Sequence, residues 1–209
     1  MRLHLPPSLR FALLASLVSF SGIYSYSHAA TSADFWQIPD FGGPDFTWTG
    51  AGEGDAVGTA GNWEGGSAPS RVDNKGPHLI FNGVDVTVTG TPPNTSDGGG
   101  ISVTGNGSVS VGLGQWGGNV YVEKGSSLTT SFGTQLKNME PEGHANIYVD
   151  GTLNMTTPGG NLNFDNGTGA DNHYWHIGLD GMINLSNTTT ITKNAKTWNV
   201  EVVVASAME

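Results

Sequence analysis

A short phrase of strand, glycine turn and strand recurs about four times along this chain. Each copy has two apolar residues at alternate positions, then a turn built on glycine, then one or two more apolar residues. The copies are Ile101–Val111, Asn119–Leu128, Asn146–Met155 and His176–Leu185. Their turn glycines lie 18, 26 and 30 residues apart, at Gly107, Gly125, Gly151 and Gly181.

Alternation places the apolar side chains on one face of a strand. A unit this short cannot bury that face alone, so the recurrence predicts coils stacked on their neighbours in a solenoid. We expect aligned inward stacks of Ile101, Val103, Val109, Val120, Val122, Leu128, Ile147, Val149, Leu153, Ile177, Leu179 and Ile183. The alternative fold is a β-sandwich, in which the same residues pair antiparallel across hairpins. Parallel pairing of residues 120–122 with 147–149 distinguishes the two folds.

Composition favours an all-β chain held together without cross-links. Among 209 residues there are 32 glycines and no cysteine, and helical periodicity is almost absent. This combination is typical of many short strands joined by turns. Because no disulfide can form, strand ladders and a continuous core must hold the fold.

Residues 1–30 have the layout of a secretory signal peptide. Arg2 and Arg10 accompany the apolar run Phe11–Phe20, and small residues follow at Ser27–Ala30. The run is about half of the ~20 residues that a membrane-spanning helix needs. We therefore expect cleavage after Ala29 or Ala30, export, and no transmembrane segment in the mature chain.

The charge of the mature chain limits its partners. Without Arg2 and Arg10, six basic residues would face 18 acidic ones, a formal charge near −12. Nucleic acid is excluded as a partner, because its phosphates need basic groups. Anionic polysaccharides and anionic membranes are disfavoured. An extracellular or outer-surface location fits this charge, with the periplasm as the alternative.

Residues 31–83 differ in character from the rest of the chain. Seven aromatic residues lie here, amid Gly and Pro turns: Phe35, Trp36, Phe41, Phe46, Trp48, Trp63 and Phe81. The end of a solenoid exposes backbone and core, so terminal units usually act as caps. We interpret 31–83 as a Trp-rich N-terminal cap and 84–209 as the β-solenoid repeats.

Several short motifs lie between residues 46 and 185: Thr47–Gly50, Asn62-Trp63, Pro69, Asp73, Leu79–Asn82 and Val86–Thr89. Together they resemble the start of bacterial autotransporter-type surface proteins with autotransporter-associated β-strand repeats. The resemblance implies a right-handed parallel β-helix displayed at the cell surface or shed from it. The chain departs from the pattern in lacking the family's membrane barrel or the C-terminal sorting segment of related forms.

The C-terminal run Asn199–Val204 resembles the openings Asn119–Val122 and Asn146–Val149, as though another coil were beginning. Either this run closes the last coil, or the chain is the front portion of a longer architecture, which we favour. In the second case an uncovered strand edge would remain, and such edges recruit other chains. We therefore expect self-association through this edge at high concentration.

The candidate ligand contact is aromatic. Trp116 lies in the glycine-rich loop Gly112–Gly118, and an exposed Trp can stack on a sugar ring. Trp116, Tyr121 and Tyr148 would together form a glycan contact. The alternative is that Trp116 buries itself over the coil.

Signals for catalysis and for metal binding are weak. Asp150 and Asp180 occupy matching places beside a turn glycine, with Glu123 near that place in another copy. Glycosidases need two carboxylates about 5–10 Å apart, but turn preference explains this repetition better. No GxSxG motif occurs, and the cluster Asp165–His176 lacks metal-ligand spacing. We expect no catalytic residue, cofactor or metal.

These observations favour an exported structural or adhesive β-solenoid that acts as a cell-surface spacer or display surface. Its partners would be cell-surface components or extracellular glycans. The first alternative is a carbohydrate-binding module, and the second is a polysaccharide-degrading enzyme.

Overall fold

The computed structural model describes residues 41–93, 99–113, 118–132, 135–137, 146–156, 161–165, 172–186, 190–193 and 197–202. Over these residues the chain forms strands and two short 3₁₀ turns, Ala60–Asn62 and Glu64–Gly66. The strands are β1 (Asp45–Thr47), β2 (His78–Asn82), β3 (Asp85–Val88), β4 (Gly100–Thr104), β5 (Ser108–Leu113), β6 (Asn119–Val122), β7 (Ser127–Phe132), β8 (Gln135–Lys137), β9 (Ile147–Val149), β10 (Thr152–Thr156), β11 (Asn161–Asp165), β12 (Asn172–Ile177), β13 (Met182–Ser186), β14 (Thr190–Lys193) and β15 (Thr197–Val202). The prediction of an all-β chain is confirmed. No helix in this described part is long and apolar enough to cross a bilayer.

From β2 onward, each strand belongs to a different sheet from the strand before it. The long sheet has the order β1-β2-β4-β6-β9-β12-β15, the second sheet β3-β5-β7-β10-β13, and the third sheet β8-β11-β14. All the ladders within these sheets are parallel. Parallel neighbours need a crossover between them. From β2 onward, each crossover includes a strand of another sheet, whereas β1 and β2 are joined by the segment that contains the two 3₁₀ turns.

The pairing that distinguishes stacked coils from hairpins is parallel. Val120 pairs with Ile147, Tyr121 with Tyr148, and Val122 with Val149. The antiparallel pairing expected of the sandwich is therefore absent between β6 and β9.

Inward columns cross the strands and meet in one core. In the long sheet they are Leu79, Ile101, Val120, Ile147 and Trp175, and beside them Phe81, Val103, Val122 and Val149. In the second sheet Val109, Leu128 and Leu153 align, next to Val111, Thr130 and Met155. Burying each such apolar side chain stabilises the fold by about 1.5–3 kcal/mol. The inward prediction is confirmed for Ile101, Val103, Val109, Val120, Val122, Leu128, Ile147, Val149 and Leu153.

The predicted register is wrong for the first strand of the last repeat, whereas the second strand is in the expected register, with Leu153 paired to Ile183. Trp175 pairs with Ile147, and Ile177 pairs with Val149, so Leu179 has moved into the turn and is 51% exposed. Ile177 and Ile183 are half-buried. The cause is turn length: four residues join β12 to β13, whereas two join β9 to β10.

Close packing between coils explains the glycine at several turns. A Cβ on Gly151 would lie 2.3 Å from the Glu123 carbonyl oxygen, and one on Gly181 would lie 2.0 Å from that of Val149. Neither contact can be accommodated without moving backbone. Gly125 differs, because its φ of +81° is a left-handed conformation that favours glycine.

An aromatic cluster forms the part of this core that comes first in the described chain. Trp48 packs edge-to-face on Trp63, with ring centroids 5.0 Å apart, and both rings contact Phe81. Asn62 is fully buried, where its Oδ1 accepts from the Gly52 N–H at 2.9 Å and its Nδ2 donates to the Gly54 carbonyl at 2.8 Å. The Asn62-Trp63 pair thus holds the glycine-rich loop against the core. Strand β2, which contains Phe81, and its neighbour β1 belong to the long sheet.

Two leucines that the repeat pattern treated alike should now behave differently. Leu128→Ala should lower the free energy of unfolding by about 2–5 kcal/mol, because Leu128 is fully buried between Val109 and Leu153. Leu179→Ala removes the same atoms from an exposed turn. It should change the free energy of unfolding by less than about 0.5 kcal/mol. Urea denaturation of both variants measures the difference, and equal losses would contradict the observed register.

Candidate functional site

The outward face of the long sheet carries two columns of polar and aromatic residues in register. One column runs through Asp45, His78, Gly100 and Asn119. The next runs through Ile80, Ser102, Tyr121, Tyr148 and His176. Side chains alternate between the faces of a strand, so both columns lie opposite the buried stacks. Groups far apart in the chain therefore become neighbours on this face.

Two of the three predicted glycan-contact residues adjoin each other here. Tyr121 and Tyr148 are in register and half-buried, whereas Trp116 lies outside the described residues. The Tyr148 ring stacks on the His176 ring, with centroids 4.5 Å apart and planes 9° from parallel. One face of Tyr148 is therefore covered. Burial, and then the charges of Glu123 and Asp150, raise the pKa of the Tyr121 phenol, which keeps it a neutral donor.

Asp180, Glu123 and Asp150, which occupy similar places in their repeat copies, each make a local contact. Asp180 forms an exposed ion pair with Lys124, with Oδ2 and Nζ 2.6 Å apart. The hydrogen bond and charge of Asp180 raise the pKa of Lys124. Glu123 accepts a hydrogen bond from the Gly105 N–H at 2.6 Å, which ties one coil's turn to the preceding turn. Asp150 packs against Gly178, where an added Cβ would overlap its Oδ1.

A chain of hydrogen bonds joins an aspartate, a histidine and a serine on the first strands of the long sheet. His78 Nδ1 lies 2.8 Å from Asp45 Oδ1, and His78 Nε2 contacts the Ser102 hydroxyl. His78 and Ser102 are buried, whereas the Asp45 side chain is 67% exposed. Burial lowers the pKa of His78, and the hydrogen bond and charge of Asp45 oppose that shift only in part. The imidazole is therefore neutral at physiological pH.

Sequence reasoning missed this relay. Asp45, His78 and Ser102 lie on β1, β2 and β4, and no local motif connects them. Strand pairing supplies the proximity: Asp45 is in register with His78, and Ser102 is two residues beyond the partner of His78. Finding the relay required the register of β1 against β2. The repeat phrase includes neither strand, so it does not predict that register.

An aromatic ring covers the histidine of this relay. Phe41 stacks on the His78 imidazole, with centroids 3.7 Å apart and planes 1° from parallel. The same ring lies on Gly100, where a Cβ would be 2.3 Å from Phe41 Cε1. Phe41 thus occupies the space that the missing side chain of Gly100 leaves open.

The outward face of the second sheet is different in character. It presents hydroxyl and amide groups that bond along the columns, such as Ser127 to Ser108 and Asn184 to Asn154, both at 2.9 Å. A shallow groove of about 280 Å³ runs over Asp85, Thr87, Ser108, Ser110 and Thr129. Within the described residues, no three His, Asp or Glu side chains converge in a way that could hold a metal ion. The side chains of Asp165 to Tyr174, which belong to the polar cluster Asp165–His176, lie outside the described residues.

Acid should destabilise the fold through His78. Its folded-state pKa lies below the ordinary value of 6.5, so the unfolded chain binds more protons as the pH falls. The contribution of neutral His78 is fully present above about pH 6.5 and is lost as the pH falls toward the folded-state pKa. Urea denaturation at pH 8 and pH 5 should therefore show a smaller loss of stability for His78→Gln than for the wild type. An equal loss would contradict the argument.

No protein-family model matches the chain, and no curated protein or solved structure is significantly similar to it. Its function is therefore argued from its own geometry.

Proposed function

We propose that this chain is a right-handed parallel β-helix that serves as an exported, rigid spacer or display module at the cell surface. The observation that carries the proposal is the order of strands. From β2 onward, each sheet takes its next strand only after the chain has visited another sheet, and the described ladders are all parallel. A chain wound in this way lengthens by about 4.8 Å for every strand added to a sheet.

The surface of the described part also suits a solvated spacer. Apart from Asp85, the named outward residues of the second sheet carry hydroxyl and amide groups, several of which are paired along the columns. Acidic residues outnumber basic ones by 18 to 8 over the whole chain. Such a surface resists association with anionic cell-surface material and remains soluble.

Surface display can be tested with an epitope placed in a turn. Residues 64–67 are exposed and precede β2, so an insertion there leaves the ladders intact. We expect the product to begin at Ala30 or Thr31, and the epitope to be reached by antibody on intact cells or in the medium. A product that keeps Met1, with an epitope accessible only after lysis, would contradict export.

A second function, glycan binding, is favoured by one observation. Tyr121 and Tyr148 lie in adjacent register positions on the outward face, so a linear sugar chain could contact both. Tyr148 is stacked on His176, so its contact would be through the ring edge and hydroxyl. Tyr121 adjoins the small residue Ser102 on its other side, so its ring is the candidate stacking platform.

A glycan array separates the two functions. If the face binds a glycan, Tyr121→Ala should weaken that binding at least tenfold, a loss of about 1.4 kcal/mol. Tyr148→Ala and Trp116→Ala test the other two predicted contacts. Thr129→Ala is the control, because Thr129 is an exposed residue on the second sheet. An array without saturable binding would contradict glycan binding and leave the spacer as the remaining function.

A further inference from the structure

We propose that Ser102 is an activated nucleophile that accepts small acyl groups from esters, with His78 as its base and Asp45 as a positioning residue. This activity lies beyond the spacer and glycan-binding functions. It rests on the order of the three groups and on the space above Gly100.

The hydrogen bonds fix the direction in which a proton can move. An ionised carboxylate only accepts hydrogen bonds, so the His78 nitrogen that faces Asp45 carries the hydrogen. The other ring nitrogen then presents its lone pair to the Ser102 hydroxyl. Burial favours the neutral imidazole, which is the form that can take a proton. This arrangement has the roles found in serine hydrolases, which recur on unrelated folds.

In this relay the serine and the histidine are buried and the aspartate is exposed, unlike the groups of an open active site. Ser102 is 6% exposed and His78 8%, whereas the carboxylate that orients them is largely in water. Solvent screens Asp45, so its effect on His78 is weaker than that of a buried carboxylate. Ser102 reacts only when its cover has moved.

That cover also limits what can react. Phe41 fills the space above Gly100, and Asn119 and Tyr121 are the register partners of Gly100 and Ser102 on the next strand. When the Phe41 ring moves away, the vacated space is that of one six-membered ring. A small acyl group such as acetyl fits such a space, whereas an extended peptide does not. The substrate class is therefore a small O-acyl ester.

The reaction balances without a cofactor. Ser102 Oγ bonds to the acyl carbon while its proton passes to His78 Nε2. The bond from the acyl carbon to the alcohol oxygen breaks, and the alcohol leaves with that proton. Water then attacks the acyl-serine, again losing a proton to His78, and the carboxylic acid is released as Ser102 regains its hydrogen.

The test is covalent labelling of the whole folded chain with a small alkyl fluorophosphonate, located by peptide mass spectrometry. Ser102 displaces fluoride from phosphorus by the same proton transfer. We expect one label, on Ser102. Its rate should rise with pH and level off once His78 is neutral, whereas an ordinary serine would react faster without limit as hydroxide increases. Hydrolysis of p-nitrophenyl acetate should follow the same pH profile.

Variants separate the roles. Ser102→Ala should abolish labelling, and His78→Gln should slow it by about 10²-fold or more, as expected for loss of a general base. Asp45→Asn should slow it by a smaller factor, because Asp45 is screened. Phe41→Ala should accelerate it by opening the space over Gly100 and the His78 ring. Ser127→Ala, on the second sheet, is the control and should leave the rate unchanged. Circular dichroism checks that each variant is folded.

Two results would overturn the proposal. One is a folded wild type, together with a folded Phe41→Ala variant, that remains unlabelled between pH 6 and 9. The other is labelling spread over several serines and insensitive to Ser102→Ala. A purely structural hydrogen-bond bridge predicts the first result, with Ser102→Ala lowering only the stability.

Discussion

Parallel, in-register pairing between strands of successive coils is the constraint on which the rest of this structure depends. It turns each position of the repeat into a column, so that Val103, Val122 and Val149 stack inside while Ser102, Tyr121 and Tyr148 stack outside. The chain has no cysteine, so no disulfide supplements the ladders and the buried apolar columns. The same constraint requires glycine where backbones meet at the turns, as at Gly151 and Gly181.

Much of this fold was predictable because its signal is local. The alternation in Ile101–Val103 and Val120–Val122 predicts that these residues form strands and which side chains face inward. Ile101, Val103, Val120 and Val122 are all buried, as expected. The last repeat was misaligned because turn length is not fixed by the glycine: Gly178 to Gly181 form a longer turn than Asp150-Gly151. Trp175 was consequently not recognised as a core residue, although it continues the column of Val120 and Ile147.

The outward chemistry was less accessible from the sequence. Tyr121 and Tyr148 belong to two copies of one repeat, so their proximity followed from the pattern. Asp45, His78 and Ser102 come from three strands, of which only β4 lies in a repeat copy, and their proximity depends on pairings that the pattern does not specify. A rigid scaffold can hold such groups at fixed distances while its loops vary, so a spacer and a reactive site are compatible on one chain.

Cysteine cross-linking tests the central claim of register most directly, because the chain has no cysteine of its own. Thr129 and Asn154 are register partners on the outward face of the second sheet. Adjacent strands lie about 4.8 Å apart, within the roughly 4.4–6.8 Å between Cα atoms that a disulfide spans. Thr129→Cys with Asn154→Cys should form an intramolecular disulfide in the folded chain, and Ser110→Cys with Asn154→Cys, two strands apart, should stay reduced. A reduced first pair, or a cross-linked second pair, would contradict the stacking of coils described here.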